Sequence, residues 1–326
     1  MKSRILAVVT AVLMLAALSG CISPNIKLFS DESDPLAEQI LSGKGPEKIA
    51  VITVSGMISD EAAEHLLKSR PSMVQEVVAQ LALAEKDPDV KAVVIKVNSP
   101  GGTVTASDIL YHEITRFKEK TKKPVYAAMM DVAASGGYYI SLAADRIYAH
   151  PTTVTGSVGV LLMRPQVSGL MDKLGLSVVA TTSGKNKDMG SPFRPATEEE
   201  KAIFQNTADT LADRFLGLTK ENRKLSEQSL ENVATARIYT ADQAKELGLI
   251  DGVAYLDGIL ADLRKEAGLS EDAAVVAYRR SKYADDNIYN QTTMRGPAGD
   301  LSAVSPLPGW TRLSAGYYYL WLPGIN

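Results

Sequence analysis

Three glycine-bearing segments carry the residue types from which an acyl-transfer site is built: Asn98-Ser99-Pro100-Gly101-Gly102, Ala133-Ala134-Ser135-Gly136-Gly137 and Thr155-Gly156-Ser157-Val158-Gly159. Glycine lets the backbone turn sharply and brings N–H groups close to a bound group. Read together, the first two segments offer a serine nucleophile, Ser135, and two backbone donors for a developing oxyanion. Those donors are the N–H of Gly136 and that of Gly101 or Gly102. Loss of one such donor typically lowers a rate on the order of 10²–10³-fold, so both segments must be fixed in place. Taken singly, each segment is more simply a tight turn, with Ser135 capping a helix.

A serine nucleophile needs a base. Ser135 lacks the Gly-x-Ser-x-Gly elbow because residue 133 is Ala, and no Ser-x-x-Lys occurs. Of the three histidines, His65 and His112 fall in stretches read as helical, and His150 follows a strand and precedes Pro151. That leaves lysine, which acts as a base only when desolvation lowers its pKa from about 10.4 toward the working pH. Lys185 and Lys187 both lie in Thr182-Ser183-Gly184-Lys185-Asn186-Lys187-Asp188. A solvated basic loop is the plainer reading of that segment.

The elements that would position these groups follow from hydrophobic pattern. Residues 49–54, 92–97, 124–130, 146–149 and 176–180 read as strands, from apolar and largely β-branched runs. Helical spacing marks residues 72–86, a segment capped by Ser107 or Asp108 and running to Lys120, residues 135–145 and residues 167–174. A long helix follows Thr197-Glu198-Glu199-Glu200, with a shorter one at 240–247. Strands alternating with helices predict parallel β-α units in one α/β domain with a helical C-terminal part. In such sheets, sites assemble in the loops after strand C-termini, where all three glycine segments fall. Residues 281–309, rich in Ser, Asp, Asn, Gly and Pro, read as loose.

Composition removes other classes. A chain of 326 residues with 45% hydrophobic content is long enough for a large core. A net charge of −3 lacks the basic excess of an electrostatic nucleic-acid binder. One Cys and three scattered His supply neither a disulfide nor a zinc or iron–sulfur site, so no metal and no cofactor is expected.

The one cysteine lies outside the expected fold. Lys2 and Arg4 precede an uncharged apolar run, Ile5 to Leu18, closed by Leu18-Ser19-Gly20-Cys21. This is the order of a secretory signal peptide, with an apolar run short for a membrane span. The Leu-Ser-Gly-Cys box resembles a bacterial lipoprotein signal, which implies lipid on Cys21 at the new N-terminus. Removing residues 1–20 takes away two cations and no acid, changing the net charge from −3 to −5. Residues 21–47 then read as a tether.

Jointly, the motifs quoted above resemble the signal peptide peptidase A family in identity and order. Added to them are Arg237-Ile238-Tyr239-Thr240-Ala241 and Ala244-Lys245-Glu246-Leu247-Gly248-Leu249-Ile250-Asp251. The resemblance covers residues 48–265 and leaves 266–326 as a C-terminal extension. It implies a Clp-protease/crotonase-like α/β fold of repeated β-β-α/β-α units and a Ser/Lys dyad peptidase acting on cleaved signal peptides or other short apolar peptides. By motif, Ser135 is the nucleophile and Lys187, which immediately precedes Asp188, is the general base. Lys185 competes from two positions away, and Asn186 replaces a Tyr often found between the lysines. Gly136 with Gly101 or Gly102 takes the oxyanion role. The 52-residue Ser–Lys spacing matches the short, single-repeat members, whose homo-oligomeric rings bring Ser and Lys together across adjacent subunits. The expected location is extracytoplasmic, on a bacterial membrane, and Ile22 rather than Asp after Cys21 favours the outer membrane where one exists.

Two other functions fit the same fold: an acyl-CoA hydratase or isomerase, disfavoured by the export signal, and a lipoprotein scaffold without activity. The aromatic end, Trp310 to Leu322, holds both tryptophans. It suits a subunit interface or lipid contact as well as a tail folded onto its own domain.

Overall fold

Apolar β-branched runs form the centre of a nine-stranded sheet. The computed structural model describes residues 34–65, 68–290 and 316–321; Cys21 and the signal segment lie outside them. In chain order the strands are β1 (Ala37–Ser42), β2 (Gly45–Ser55), β3 (Ala63–His65), β4 (Lys68–Arg70), β5 (Val90–Ser99), β6 (Gly101–Thr103), β7 (Val125–Ala134), β8 (Arg146–Ala149), β9 (Val154–Gly156), β10 (Leu161–Met163), β11 (Ile238–Thr240), β12 (Gly252–Val253), β13 (Ala273–Arg279) and β14 (Gly316–Leu320). The helices are α1 (Met73–Lys86), α2 (Val104–Thr121), α3 (Gly136–Ser141), α4 (Ser168–Leu174), α5 (Glu198–Asn222), α6 (Glu227–Ala234), α7 (Ala241–Glu246) and α8 (Leu256–Glu266).

The main sheet runs β1-β13-β2-β5-β7-β8-β12, parallel from β13 onward, with β1 antiparallel on one edge. Strand β9 continues the parallel pairing along the far end of β7, and β11 pairs antiparallel with β9. The period of two along β2 sorts its side chains. Ala50, Ile52 and Val54 face Val77, Leu81, Leu110, Ile114 and Phe117 of α1 and α2. Ile49 and Val51 point the other way, into a second cluster with Ile259, Leu260 and Leu263 of α8. Burial on both faces is the reason these strands read as continuous apolar runs.

A second, small sheet, β10-β14-β6, is antiparallel throughout and sits beside the loops that follow β5 and β7. It places the aromatic strand β14 against the chain's own β6 and β10.

Several expectations are corrected. Residues 176–180 form no strand and lie exposed: no strand among the described residues pairs with them, and Leu176 N–H donates to Met171 O at 3.0 Å. Helix α2 starts earlier, capped by the Thr103 hydroxyl rather than Ser107 or Asp108, and Ser107 Oγ instead donates to Thr103 O at 2.9 Å. The helix read at 135–145 is only six residues long. His65 ends a strand rather than lying in a helix. The segment read as a tether contributes β1 and the start of β2, so the sheet begins ten residues sooner than its residue-47 boundary.

Within 281–290, the chain docks on the sheet through a buried charge cluster. Arg279, 2% exposed, donates from Nε to Asp286 Oδ2 at 2.6 Å, and Lys96 Nζ donates to the carbonyls of Ile288 and Asn290 at 2.7 and 2.8 Å. Burial, then the nearby Arg279 cation, pushes the Lys96 amine down to about 8.

Candidate active site

The end of β7 is built irregularly. Val97 pairs with Met129 but Ser99 pairs with Ala133, so β7 carries two extra residues across that interval. Val132 N–H donates to Asn98 Oδ1 at 3.1 Å, and Thr153 Oγ1 donates to Met129 O at 3.1 Å, which fixes the bulge. Bulges of this kind re-aim the strand beyond them, often next to active sites.

Beyond the bulge stands Ser135, at φ 54° and ψ −118°, the last residue before α3. A positive φ on a non-glycine residue costs on the order of 1–3 kcal/mol and persists only where the surroundings impose it. Here Ser135 N–H donates to Gly156 O at 2.8 Å, and Ser135 O accepts from Tyr139 N–H at 2.8 Å. This is the strained strand-to-helix turn of a nucleophile elbow, reached without the Gly-x-Ser-x-Gly sequence. Ser135 Oγ is buried and has no hydrogen-bond partner among the described residues. A buried hydroxyl without a partner is costly in a fold that serves only stability.

The glycine segments converge on this residue. A Cβ on Gly136 would lie 2.5 Å from Ser107 Oγ and 3.1 Å from Gly101 Cα. Gly101, at φ 103°, would place a Cβ 2.7 Å from Gly136 N and 1.9 Å from Tyr319 O. Both positions therefore need glycine, and the backbones of Gly101 and Gly136 meet beside Ser135. Gly101 N–H donates to Ser99 Oγ at 3.1 Å, while Gly102 pairs in register with Tyr319.

Neither lysine bonds Ser135 Oγ. Lys187 is exposed on the loop between α4 and α5, with its backbone N–H donating to Gly184 O at 3.1 Å. Lys185 is held by an ion pair with Glu199. Next to Lys187, Asp188 accepts two hydrogen bonds from Arg194, both 2.8 Å, and Arg194 also bonds Glu200 in the first turn of α5. The guanidinium holds Asp188 below the usual carboxylate range and pushes Glu200 down to about 2. The loop carrying Lys187 is thus pinned to α5 by one arginine between two acids. In the sequence flanking this loop, Leu170, Leu174, Leu176, Val178, Val179 and Phe193 are all exposed.

Arg194→Ala is expected to loosen this loop and to reduce peptide hydrolysis by on the order of 10- to 100-fold, the scale of a misplaced catalytic group. With the Glu200 pKa lowered from 4.5, the clamp is complete above about pH 4.5 and is lost as pH falls through about 2. Protection of the amides of residues 185–195, taken relative to their intrinsic exchange rate at each pH, should therefore be high at pH 5, fall toward pH 2, and be low at both in Arg194→Ala.

His112 and His150 take no part in this arrangement. The His150 ring packs edge-on against Tyr255, with Nδ1 2.9 Å from Thr152 Oγ1. Sequence reasoning did not place β14 here, nor the Gly156 carbonyl that holds Ser135. The run Tyr317-Tyr318-Tyr319 was the visible signal for the former, and nothing in the sequence marks a backbone acceptor.

A strained, buried serine between converging glycine backbones, on a largely parallel α/β sheet, fits a serine-type peptidase. Comparison with known proteins agrees. The Clp protease family model matches residues 51–155, which hold Ser135 and the first two glycine segments, and the Peptidase family S49 model matches residues 117–270. The chain is 36% identical over 253 residues to a protein of Enterococcus faecium assigned as signal peptide peptidase SppA, covering 78% of this chain and 73% of that one. It is 32% identical over 266 residues to Protease 4 of Haemophilus influenzae, and 31% identical over 239 residues to the chloroplastic serine protease SPPA of Arabidopsis thaliana. These alignments cover 81% and 73% of this chain but only 42% and 35% of the two longer proteins. The chain belongs to the signal peptide peptidase A family, peptidase family S49, with the Clp-protease-like fold that the motifs implied.

Proposed function

We propose that the protein is a lipid-anchored Ser/Lys endopeptidase that hydrolyses released signal peptides or other short apolar peptides outside the cytoplasm. The observation that carries this reading is the contrast between the two predicted partners. Ser135 Oγ is buried with no hydrogen-bond partner among the described residues, while Lys187 is exposed on a pinned loop whose flanking sequence carries exposed apolar side chains. A second copy of the chain docked on that apolar face would desolvate Lys187 and bring it to the neighbour's Ser135. Desolvation favours the neutral amine, the form a base requires.

In the reaction, the neutral Lys187 amine takes the Ser135 proton as Oγ attacks the peptide carbonyl carbon. The N–H of Gly136 and that of Gly101 or Gly102 hold the oxyanion. The tetrahedral intermediate collapses, and the Lys187 ammonium gives its proton to the leaving amine. Water, deprotonated by the same amine, then attacks the acyl-enzyme and restores Ser135. Lipid on Cys21 would hold this chemistry at a membrane surface, with the outer membrane favoured by Ile22.

Mixing tests the arrangement. Ser135→Ala and Lys187→Ala proteins should each be inactive, and a mixed assembly should regain a measurable fraction of wild-type hydrolysis because some interfaces pair an intact Ser135 with an intact Lys187. Lys185→Ala should keep its activity. No recovery in an assembly shown to contain both variants would overturn the shared site.

A further inference from the structure

Ser99 stands between the two glycine segments proposed to hold the oxyanion. It is the last residue of β5, fully buried, and pairs with Ala133, two positions before Ser135. Its hydroxyl turns back on the chain. Gly101 N–H donates to Ser99 Oγ at 3.1 Å across Pro100, the reach of a serine side chain to the backbone two residues on. The hydroxyl's own proton has a longer contact, 3.4 Å to Gly101 O. On its other side the residue meets α3: Ser99 O lies 2.6 Å, and Ser99 Cβ 3.5 Å, from a Cβ built on Gly137. One buried serine thus bonds the turn that carries Gly101 and Gly102 and abuts the glycine next to Gly136.

That bond limits what the turn can do. Gly101 N–H is engaged by Ser99 and is not free to meet an oxyanion. Gly101 O accepts from Ile58 N–H at 2.9 Å. In a planar trans peptide the N–H points opposite to the carbonyl, so Gly102 N–H is directed away from Ile58. Gly101 is therefore tied at both ends, and the direction of Gly102 N–H follows from those two ties. Glycine at φ 103° is free to leave that conformation, so the bonds must hold it. Without Ser99 Oγ the buried Gly101 N–H keeps no acceptor among the described residues. A buried N–H without a partner is costly, which drives the turn to rotate until one is found.

We infer that Ser99 is a positioning residue for acyl transfer: its hydroxyl holds the Gly101 peptide so that the donor left on this segment, Gly102 N–H, keeps its aim at the developing oxyanion. The inference rests on the peptidase reading above and adds a residue that acts only through the backbone beside it.

The test uses the full chain. Ser99→Ala should lower kcat for peptide hydrolysis on the order of 10- to 100-fold and change KM less than about twofold, because the donor acts on the tetrahedral intermediate rather than on the bound peptide. Ser99→Thr and Ser99→Val add the same bulk, and only threonine keeps the acceptor. Ser99→Thr should turn over at least about tenfold faster than Ser99→Val, a comparison that stands even where Ser99→Ala does not fold. A peptide boronic acid, which forms a tetrahedral adduct with a serine nucleophile, should lose affinity across the variants in proportion to the fall in kcat/KM. The uncleaved parent peptide should bind the Ser135→Ala protein equally well with and without Ser99→Ala. Protection of the Gly101 amide against exchange should fall on the order of tenfold in Ser99→Ala and Ser99→Val, and be kept in Ser99→Thr.

Ser99→Val as fast as Ser99→Thr, a loss confined to KM with boronate affinity unchanged, or full Gly101 protection in Ser99→Ala would overturn the inference and make Ser99 a packing residue. A wild-type chain that hydrolyses no peptide would overturn the peptidase reading itself and this role with it. That failure is distinct from the absence of a Ser99 effect in an active enzyme.

Discussion

Ser135→Ala is expected to lower peptide hydrolysis by on the order of 10⁴-fold or more, the usual consequence of removing a nucleophile that acts as a unit with its base. The folded state should be barely affected, because Ser135 Oγ bonds to no described residue. The informative companion is Ser135→Gly. At φ 54° and ψ −118°, serine and alanine are equally strained and glycine is not. Ser135→Gly should therefore be more stable than either, by about 1 kcal/mol after its greater loss of chain entropy, while being as inactive as Ser135→Ala. Denaturant unfolding of the three proteins, with hydrolysis assays on the same preparations, checks both statements. A Ser135→Gly protein no more stable than Ser135→Ala would show that the turn carries no strain.

The largest expected effect on stability lies outside the site. Asp286→Ala removes the carboxylate from Arg279, a guanidinium only 2% exposed, and from the vicinity of Lys96. Breaking one side of a buried pair typically costs about 3–5 kcal/mol, because the remaining charge is left uncompensated. Peeling of residues 281–290 would let water reach the cations, so the lower end of that range is expected, about 3 kcal/mol. The pH dependence has a definite sign. Lys96 titrates in the folded protein near 8 instead of 10.5, so the unfolded chain binds the extra proton and stability rises with pH between those values. Without Asp286, which raises the Lys96 pKa, the rise should begin at lower pH. The deficit of Asp286→Ala should therefore shrink between pH 7 and pH 9, and Lys96→Met in that background should recover part of it at pH 7. Urea unfolding at the two pH values decides; a deficit that does not change with pH would exclude Lys96 as its source.

Legibility in the sequence followed burial. Strands β2, β5 and β7 are covered on both faces, so their apolar runs are long and unambiguous. Strand β1 lies on an edge with the sequence Ala-Glu-Gln-Ile-Leu-Ser and half-exposed side chains, so it reads as tether. Strands β9, β11 and β12, of two or three residues, are too short to show a period. The reverse error is more informative. Residues 176–180 have the composition of a buried strand and lie exposed on the surface; their pattern suits contact with something other than their own sheet.

The site divided in the same way. The residue types and the loops that bear them were readable, because glycine and serine in those positions have few uses. The strain at Ser135 was not, since it comes from Gly156 O and the bulge in β7, and Ala133 hid it from the usual elbow pattern. That Ser135 Oγ takes no bond from Lys187 within one chain is not legible either, because spacing along a chain carries no information about where a loop reaches.

Helix α5 has one further property. Its first turn, through Glu200, anchors the arginine that pins the Lys187 loop. Eleven to fifteen residues on, Leu211 and Phe215 line the cavity that holds Tyr319, a span of about 16–22 Å at the usual helical rise. A single stiff rod therefore joins the loop that carries Lys187 to the aromatic packing of α3, the helix that Ser135 leads into, through Phe215 against Tyr139. A load on either end of that rod is carried to the other without any change in the helix between them.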